Sequence, residues 1–141
     1  MRTPFHLWIV GVLSLLWNAG GAADYVMAQY GLGPYAGELP EATAAFFANL
    51  PAWYVAAWAI GVWFSVAGSI LLLARSRLAT GAFVLSLAGL LVASVYTFVV
   101  LETSPMRDAG AGAMAFTVAI YVVLVLLIFY SSRMTRRGVL R

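Results

Sequence analysis

The sequence has no cysteine, no lysine and a single histidine, His6, among 141 residues. Without cysteine there is no disulfide framework, no thiolate metal site and no thiol redox chemistry. Without lysine there is no side-chain amine to form the Schiff base that a retinal protein needs. One histidine cannot supply a bis-histidine haem or a histidine-rich metal site within one chain. We therefore expect no metal and no cofactor.

Charged residues are also scarce, at 9% of the chain, whereas 64% of the residues are hydrophobic. A soluble domain of this size could not keep so much apolar surface in water. Four apolar segments, residues 5–28, 52–74, 78–101 and 111–131, each exceed the roughly 20 residues that cross a hydrocarbon core. The sequence therefore predicts an all-α fold in which residues 1–141 form one membrane domain, a bundle of four transmembrane helices.

Seven of the eight arginines flank the same side of this predicted bundle. They are Arg2, Arg75, Arg77, Arg133, Arg136, Arg137 and Arg141. Only Arg107 lies on the other side, together with Glu38, Glu41, Glu102 and Asp108. By the positive-inside rule both termini and the 75–77 turn lie in the cytoplasm, which predicts a multi-pass membrane protein. The net charge of +3 comes from these flanking arginines, so it indicates membrane lipid and not nucleic acid as a partner. Headgroup contacts are expected at Arg133, Arg136 and Arg137.

Residues 1–23 also fit a cleavable signal peptide, which would leave three spans. Arg2 precedes an apolar run, and Gly21 and Ala23 stand at the −3 and −1 positions before Asp24. The apolar stretch continues to Met27, however, and is longer than the apolar region of a typical signal peptide. Its length favours an uncleaved first span.

Small residues predict which spans are neighbours. The second span carries Gly61, Ser65, Gly68 and Ser69, and the third carries Gly81, Ser86, Gly89 and Ala93. Small side chains let two membrane helices approach closely. The short basic turn around residues 74–77 allows only an antiparallel hairpin, so these two stripes are expected to meet. The inner half of the fourth span is bulky and is expected to face lipid on most sides.

The long connection between the first two spans contains one predicted helix, residues 41–49. Pro40 suits a first helical turn, and Glu41 is favoured there by the helix dipole. Phe46, Phe47 and Leu50 give this segment an apolar side. We predict a short helix lying on the outer, periplasmic membrane surface.

Asp24 is the most informative ionisable residue, because it lies in the outer third of the first span. A carboxylate inside a membrane costs a few kcal/mol on insertion scales and marks a functional site by default. One interpretation is structural: an ion pair with Arg107, or a hydrogen bond to Trp or Tyr. The other is a protonatable site or ligand anchor in a pocket covered by the 41–49 helix. Near an interface the structural interpretation is slightly favoured.

The candidate cluster around Asp24 combines the polar face of the first span with the outer ends of the others. Its members are Trp17, Asn18, Asp24, Tyr25, Tyr96, Glu102 and Arg107. Asn18 lies near the middle of the membrane and is expected to bridge to a backbone carbonyl or a serine of another span. Asp24 and Glu102 could form an acid/base pair, but no nucleophile or metal set accompanies them. His6 is expected at the inner interface; a haem ligand is the less favoured interpretation.

The string from Leu16 to Tyr25, which reads LWNAGGAADY, resembles the opening of a family of small four-span proteobacterial inner-membrane proteins that is itself uncharacterised. The Pro40-Glu41 pair and the Pro51-Ala52-Trp53 entry to the second span are also similar to that family. Members often carry the label "sugar transporter". A sugar site needs several polar groups at mid-membrane, and only Asn18 qualifies here. The resemblance implies that Trp17, Asn18, Asp24 and Tyr25 matter together, and it implies no known reaction.

These observations predict a non-enzymatic membrane protein. It would serve as an accessory or stabilising subunit of other membrane proteins, or bind a lipid or other apolar ligand at its outer face. The alternative is a small transporter, with or without proton coupling, that acts as a homo-oligomer. Four spans alone make a poor aqueous path, so transport would require more than one copy.

Overall fold

A computed structural model describes residues 2–141, and the regular secondary structure of this part of the chain is helical, with no strand. The helices are α1 (Phe5–Tyr30), α2 (Glu41–Ala48), α3 (Ala52–Leu73), α4 (Leu78–Val95), α5 (Pro105–Asp108) and α6 (Ala111–Arg136). A 3₁₀ turn covers Gly33–Tyr35, and a π-helical turn, Tyr96–Val100, continues α4. Four helices (α1, α3, α4 with its π turn, and α6) are long and apolar enough to cross a membrane. This confirms the all-α class with four candidate spans and indicates a membrane protein.

Left-handed glycines at C-terminal caps explain why α1 and α6 run past the predicted ends at residues 28 and 131. Gly31 follows α1 with φ 62°, and Leu32 N donates to Met27 O at 2.8 Å. Gly138 plays the same part beyond α6, with φ 71° and a bond of 3.0 Å from Val139 N to Met134 O. Such caps satisfy carbonyls that the last turn leaves open. The ends are set by this geometry, not by the loss of apolar residues.

Helices α3 and α4 form the most closely packed pair in the bundle, an antiparallel hairpin. A Cβ added to Gly89 would lie 2.6 Å from the carbonyl oxygen of Ala57, and one added to Gly68 would lie 2.6 Å from the Phe83 ring. The hydroxyl of Ser86 donates to Gly61 O across the same contact. The predicted contact between the small residues of the second and third spans is therefore confirmed for Gly61, Gly68, Ser86 and Gly89. Ser65 and Ser69 of the same predicted stripe instead accept hydrogen bonds from Asn18 of α1.

The prediction was wrong for Gly81, which is exposed and has nothing within 4 Å of an added Cβ. The buried residues of α4 are spaced mostly three or four positions apart, and Gly81 is not one of them. These buried residues are Ala79, Ala82, Phe83, Ser86, Gly89 and Ala93. Residues at that spacing share one side of a helix, so Gly81 points away from α3.

Helix α1 packs along α3, helix α6 packs along α4, and α1 and α6 approach each other only locally. We call the end that holds both chain termini and the 74–77 turn the terminal end, and the opposite end the loop end. At the terminal end His6 Nδ1 lies 2.6 Å from the Tyr130 hydroxyl. Further along, the rings of Trp17 and Phe116 lie 5.7 Å apart. The bundle is therefore closed at its terminal end and loosely joined elsewhere.

The hydrophobic core fills the terminal half of the bundle. Leu7, Leu72, Phe83 and Leu127 are at most 5% exposed and belong to one cluster. The second half of α6 exposes Val122, Leu126 and Phe129, which agrees with the expectation that it faces lipid on most sides. On its remaining side it buries Leu124, Leu127, Ser131 and Met134. These residues repeat every three or four positions and form one helix face.

The C-terminal tail completes this core. After Gly138 the chain turns back, so that Arg77 N donates to Arg141 O at 3.1 Å and Arg141 N donates to Arg75 O at 2.8 Å. Leu140 is thereby placed in the core, with 3% of its surface exposed. The tail predicted to be a lipid-contacting run is therefore also a structural element.

Replacing Gly89 by Ala should lower the free energy of unfolding by about 1–3 kcal/mol, because the new methyl group meets backbone of α3. Gly81→Ala is the matched control on the same helix and should cost nothing, since its Cβ enters open space. Thermal unfolding in detergent measures both. Equal loss in the two variants would contradict the close α3–α4 contact.

Candidate functional site

The loop half of the bundle contains a cavity of about 580 Å³ between α1, α3, α4 and α6. Apolar side chains such as Leu16, Val62, Leu90 and Ile120 form most of its wall. Met106 of the short helix α5 lines it towards the loop end. Helix α2 contributes no lining residue, so the expected cover by the 41–49 helix is not found.

The cavity opens sideways, through a gap between α1 and α6. Gly20 and Gly21 line it from α1; both are exposed, and an added Cβ would find nothing within 4 Å. Leu16 and Phe116, which also line the cavity, are 66% and 59% exposed. Residues that border the cavity and are exposed at the same time mark its mouth. The tilted ring pair of Trp17 and Phe116 is the contact that joins the two sides of this gap.

The π-helical turn at the end of α4 brings two further side chains to the cavity. Leu101 N donates to Tyr96 O at 3.0 Å, five residues back, which defines the wider turn. Thr97 and Phe98 of this turn line the cavity, and Thr97 is 1% exposed. Single π turns inside α-helices are frequent at functional sites. The sequence pattern predicts only a continuous span to residue 101, because composition does not distinguish a π turn from an α turn.

Asp24 lines the cavity and is held by a tyrosine from the following loop. The Tyr35 hydroxyl donates to Asp24 Oδ1 at 3.0 Å, and Phe47 of α2 packs edge-on against the Tyr35 ring at 5.5 Å. This bears out the hydrogen bond to an aromatic residue that the structural interpretation offered. Helix α2 thus supports Asp24 indirectly, through Tyr35.

The alternative partners expected for Asp24 lie elsewhere. Arg107 Nη1 donates to the carbonyl oxygens of Leu101 and Glu102, at 3.3 and 3.2 Å, and no hydrogen bond joins it to Asp24 within residues 2–141. The Asp24–Arg107 pair was therefore wrong: the arginine satisfies carbonyls freed where the π turn ends. Glu102 is exposed and does not line the cavity, so the structure does not bring the two carboxylates together there.

Asn18 ties α1 to α3 at the floor of the cavity. Its amide nitrogen donates to Ser65 O at 3.1 Å and to Ser69 Oγ at 2.9 Å. Both partners belong to α3, and Asn18 is 9% exposed. The expectation of a bridge to a backbone carbonyl or a serine of another span is confirmed in both forms.

Two pairs of hydrogen-bonded hydroxyl groups line the side of the cavity that α3, α4 and α6 form. Thr97 Oγ1 donates to Ala93 O at 3.0 Å, so the Tyr54 hydroxyl, 3.1 Å away, is the donor in the Tyr54–Thr97 pair. Tyr121 donates to Leu90 O at 2.7 Å, so Ser94 is the donor in its 2.6 Å bond to Tyr121. The Tyr121 bonds fasten α6 to α4 beside the cavity.

Three of the seven residues of the predicted cluster line the cavity: Trp17, Asn18 and Asp24. Tyr25 packs on Trp58 and Trp63, and Tyr96 packs on Trp53 and Tyr54. Glu102 and Arg107 lie in the exposed connection between α4 and α6. Arg133, Arg136 and Arg137 are exposed at the terminal end, where headgroup binding stays a prediction.

Sequence reasoning missed the hydroxyl groups that complete the site. They are Tyr35, Tyr54, Ser94 and Tyr121. Tyr121 could have been predicted as a site residue from the sequence, because it carries the one hydroxyl group in the otherwise apolar run 118–129. Tyr35 carried no such signal, since a tyrosine in a glycine-rich loop is ordinary at a membrane interface.

No group of three or more His, Cys, Asp or Glu side chains that could hold a metal ion occurs in residues 2–141. The chain matches no protein-family model, no curated protein and no solved structure. The resemblance to small proteobacterial membrane proteins stays a prediction.

Replacing Asn18 by Leu should destabilise the bundle by about 1 kcal/mol, because polar bridges between membrane helices contribute roughly 0.6 to 1.7 kcal/mol. Ser14→Ala is the control: Ser14 is also buried on α1, but its hydroxyl donates only to Gly11 O of its own helix. Unfolding of the two variants in detergent gives the comparison. A larger loss for Ser14→Ala would argue against the α1–α3 bridge.

Proposed function

We propose that this protein binds a lipid or other apolar ligand in the cavity of its loop half and that its role is non-enzymatic. The observation that carries the proposal is the cavity itself, whose volume of about 580 Å³ lies within the range of ligand pockets, roughly 300–1,000 Å³. Such pockets have mostly apolar walls with a few placed polar groups. Asp24 and Asn18 supply those groups in a wall that is otherwise largely apolar.

The position of the cavity mouth favours entry of the ligand directly from the lipid bilayer. Gly20, Gly21 and Phe116 lie within helices that are long and apolar enough to span a membrane. If these helices span, the gap between α1 and α6 faces lipid tails, not water. An apolar molecule then enters without crossing an aqueous phase, which favours a ligand that is already dissolved in the membrane.

The proposed orientation puts the terminal end in the cytoplasm and the loop end in the periplasm of a bacterial inner membrane. The support is the distribution of arginine, with seven residues at the terminal end against Arg107 at the loop end. Helix α2 would then lie on the periplasmic surface. Its phenylalanines Phe46 and Phe47 pack inwards on Tyr54 and Tyr35, as expected for an interfacial helix.

Transport by a single chain is less well supported. The core around Leu7, Leu72, Phe83 and Leu127 fills the bundle between the cavity and the terminal end. A solute in the cavity would have to pass these side chains, which are at most 5% exposed. Ligand binding requires no such path.

Replacing Thr117 by Trp should abolish ligand retention, because Thr117 lines the cavity from α6 and its hydroxyl bonds only to Ala113 O of its own helix. Val118→Trp is the matched control, since Val118 is exposed and does not line the cavity. Native mass spectrometry after gentle extraction reports the bound mass.

The wild type and Val118→Trp should retain a small molecule that Thr117→Trp lacks. Retention by all three proteins would overturn the proposal, and so would retention by none. A stoichiometric second protein in place of a small molecule would identify an accessory subunit instead.

The orientation is testable with single cysteines, because the chain has none of its own. Thr103→Cys at the loop end and Ala74→Cys at the terminal end are both exposed positions. In intact spheroplasts a membrane-impermeant maleimide should label residue 103 and leave residue 74 unlabelled until the membrane is permeabilised. The reverse pattern would invert the topology.

A further inference from the structure

We propose that the ligand is an amphiphile with an apolar tail and an uncharged or cationic head group that donates hydrogen bonds, and that this head binds Asp24. Long-chain alcohols and amines have this chemistry, whereas fatty-acid carboxylates and phosphate heads do not. This inference rests on the proposed function and names the class of ligand for the same cavity.

The hydroxyl and amide donors of the cavity wall are already committed to the protein. Asn18 uses its amide nitrogen for Ser65 O and Ser69 Oγ. The hydroxyls of the wall donate within the bundle in the same way. They are Tyr54 to Thr97, Thr97 to Ala93 O, Ser94 to Tyr121, Tyr121 to Leu90 O, Ser65 to Val62 O and Thr117 to Ala113 O. The remaining side-chain donors are the single indole N–H groups of Trp17 and Trp58.

Acceptors, in contrast, remain available. Tyr35 donates to Asp24 Oδ1, and within residues 2–141 no hydrogen bond reaches Asp24 Oδ2 or Asn18 Oδ1. No buried side-chain oxygen in this part of the chain lacks a partner, so neither of these atoms is sealed in the protein. Both residues line the cavity. A ligand head therefore meets oxygen lone pairs, and the group that satisfies them is a donor.

The charge of the wall points the same way. Among residues 2–141, Asp24 is the only acidic side chain in the wall, and no arginine or histidine of these residues lines it. Arg107, the arginine that the sequence suggested as a partner of Asp24, donates to the loop carbonyls of Leu101 and Glu102. A carboxylate or phosphate head would face the Asp24 carboxylate without a compensating cation, and a like charge at short range in a poorly solvated site is unfavourable.

The cavity also has the shape for a head and a tail. Asp24 lies near the loop end of α1, and Leu16 lines the opposite part of the wall eight residues earlier. At a rise of 1.5 Å per residue this separation is about 12 Å along the helix. A head at Asp24 thus directs the tail past Asn18 towards Leu16 and Leu124, beside the open mouth at Gly20 and Gly21.

The test compares dodecylamine, 1-dodecanol and dodecanoate, which share one tail and differ in the head. Each is added at the same mole fraction to protein in a neutral maltoside detergent, and bound mass is measured by native mass spectrometry. Binding is counted as the part that Thr117→Trp removes. We expect the amine and the alcohol to bind about tenfold or more tightly than dodecanoate, since hydrogen bonds to charged groups are the stronger ones.

Asp24→Asn separates the head-group contact from the fold, because an Asn side-chain oxygen still accepts the bond from Tyr35. This variant should remove most of the preference for the amine over dodecanoate, while the alcohol still binds. Equal binding of all three compounds, each removed by Thr117→Trp, would overturn the head-group inference and leave the apolar cavity intact. If Thr117→Trp removes the binding of none of them, the proposed function itself fails.

Discussion

The close contact between α3 and α4 is the constraint on which the rest of the bundle depends. Gly89 presses against backbone of α3 and Gly68 against the ring of Phe83, at distances that no larger side chain would permit. Lipid tails provide no hydrophobic drive for helix association, so close packing and interhelical hydrogen bonds hold this hairpin together. Polar bonds also attach the outer helices to it: α1 through Asn18, and α6 through Tyr121 and through the bond from Thr80 to Ser131.

Because α1 and α6 attach to opposite helices of this hairpin, they need not pack on each other. At the terminal end large side chains fill the space between them, and the returning tail adds Leu140. At the loop end Gly20 and Gly21 leave the facing surface of α1 bare. The cavity is thus a consequence of where bulky side chains are placed along two helices, and its polar groups are those that fasten the bundle.

Several features of this arrangement follow from sequence for clear reasons. Apolar runs of more than 20 residues are long enough to cross a membrane, and a short turn forces α3 and α4 to be neighbours. Asn18 had to find a partner on another helix, because an unsatisfied amide in an apolar interior is costly. The sequence allowed either Arg107 or an aromatic side chain as the partner of Asp24. In the structure that partner is Tyr35, a tyrosine of the following loop. Loop positions carry no periodicity from which such a contact could be derived.

What the sequence by itself determined is the class of the fold, the number of long apolar helices and the face of α3 that meets α4. Hydropathy and the spacing of small residues are properties of each segment, so they can be read from the sequence without knowing how the helices are arranged. The π turn at Thr97, the burial of one face of α6 and the gap beside Gly20 were decided only by the tertiary structure. Composition does not distinguish a π turn from an α turn. The buried face of α6 and the gap depend on the distance between helices, and that distance is a property of the packed bundle.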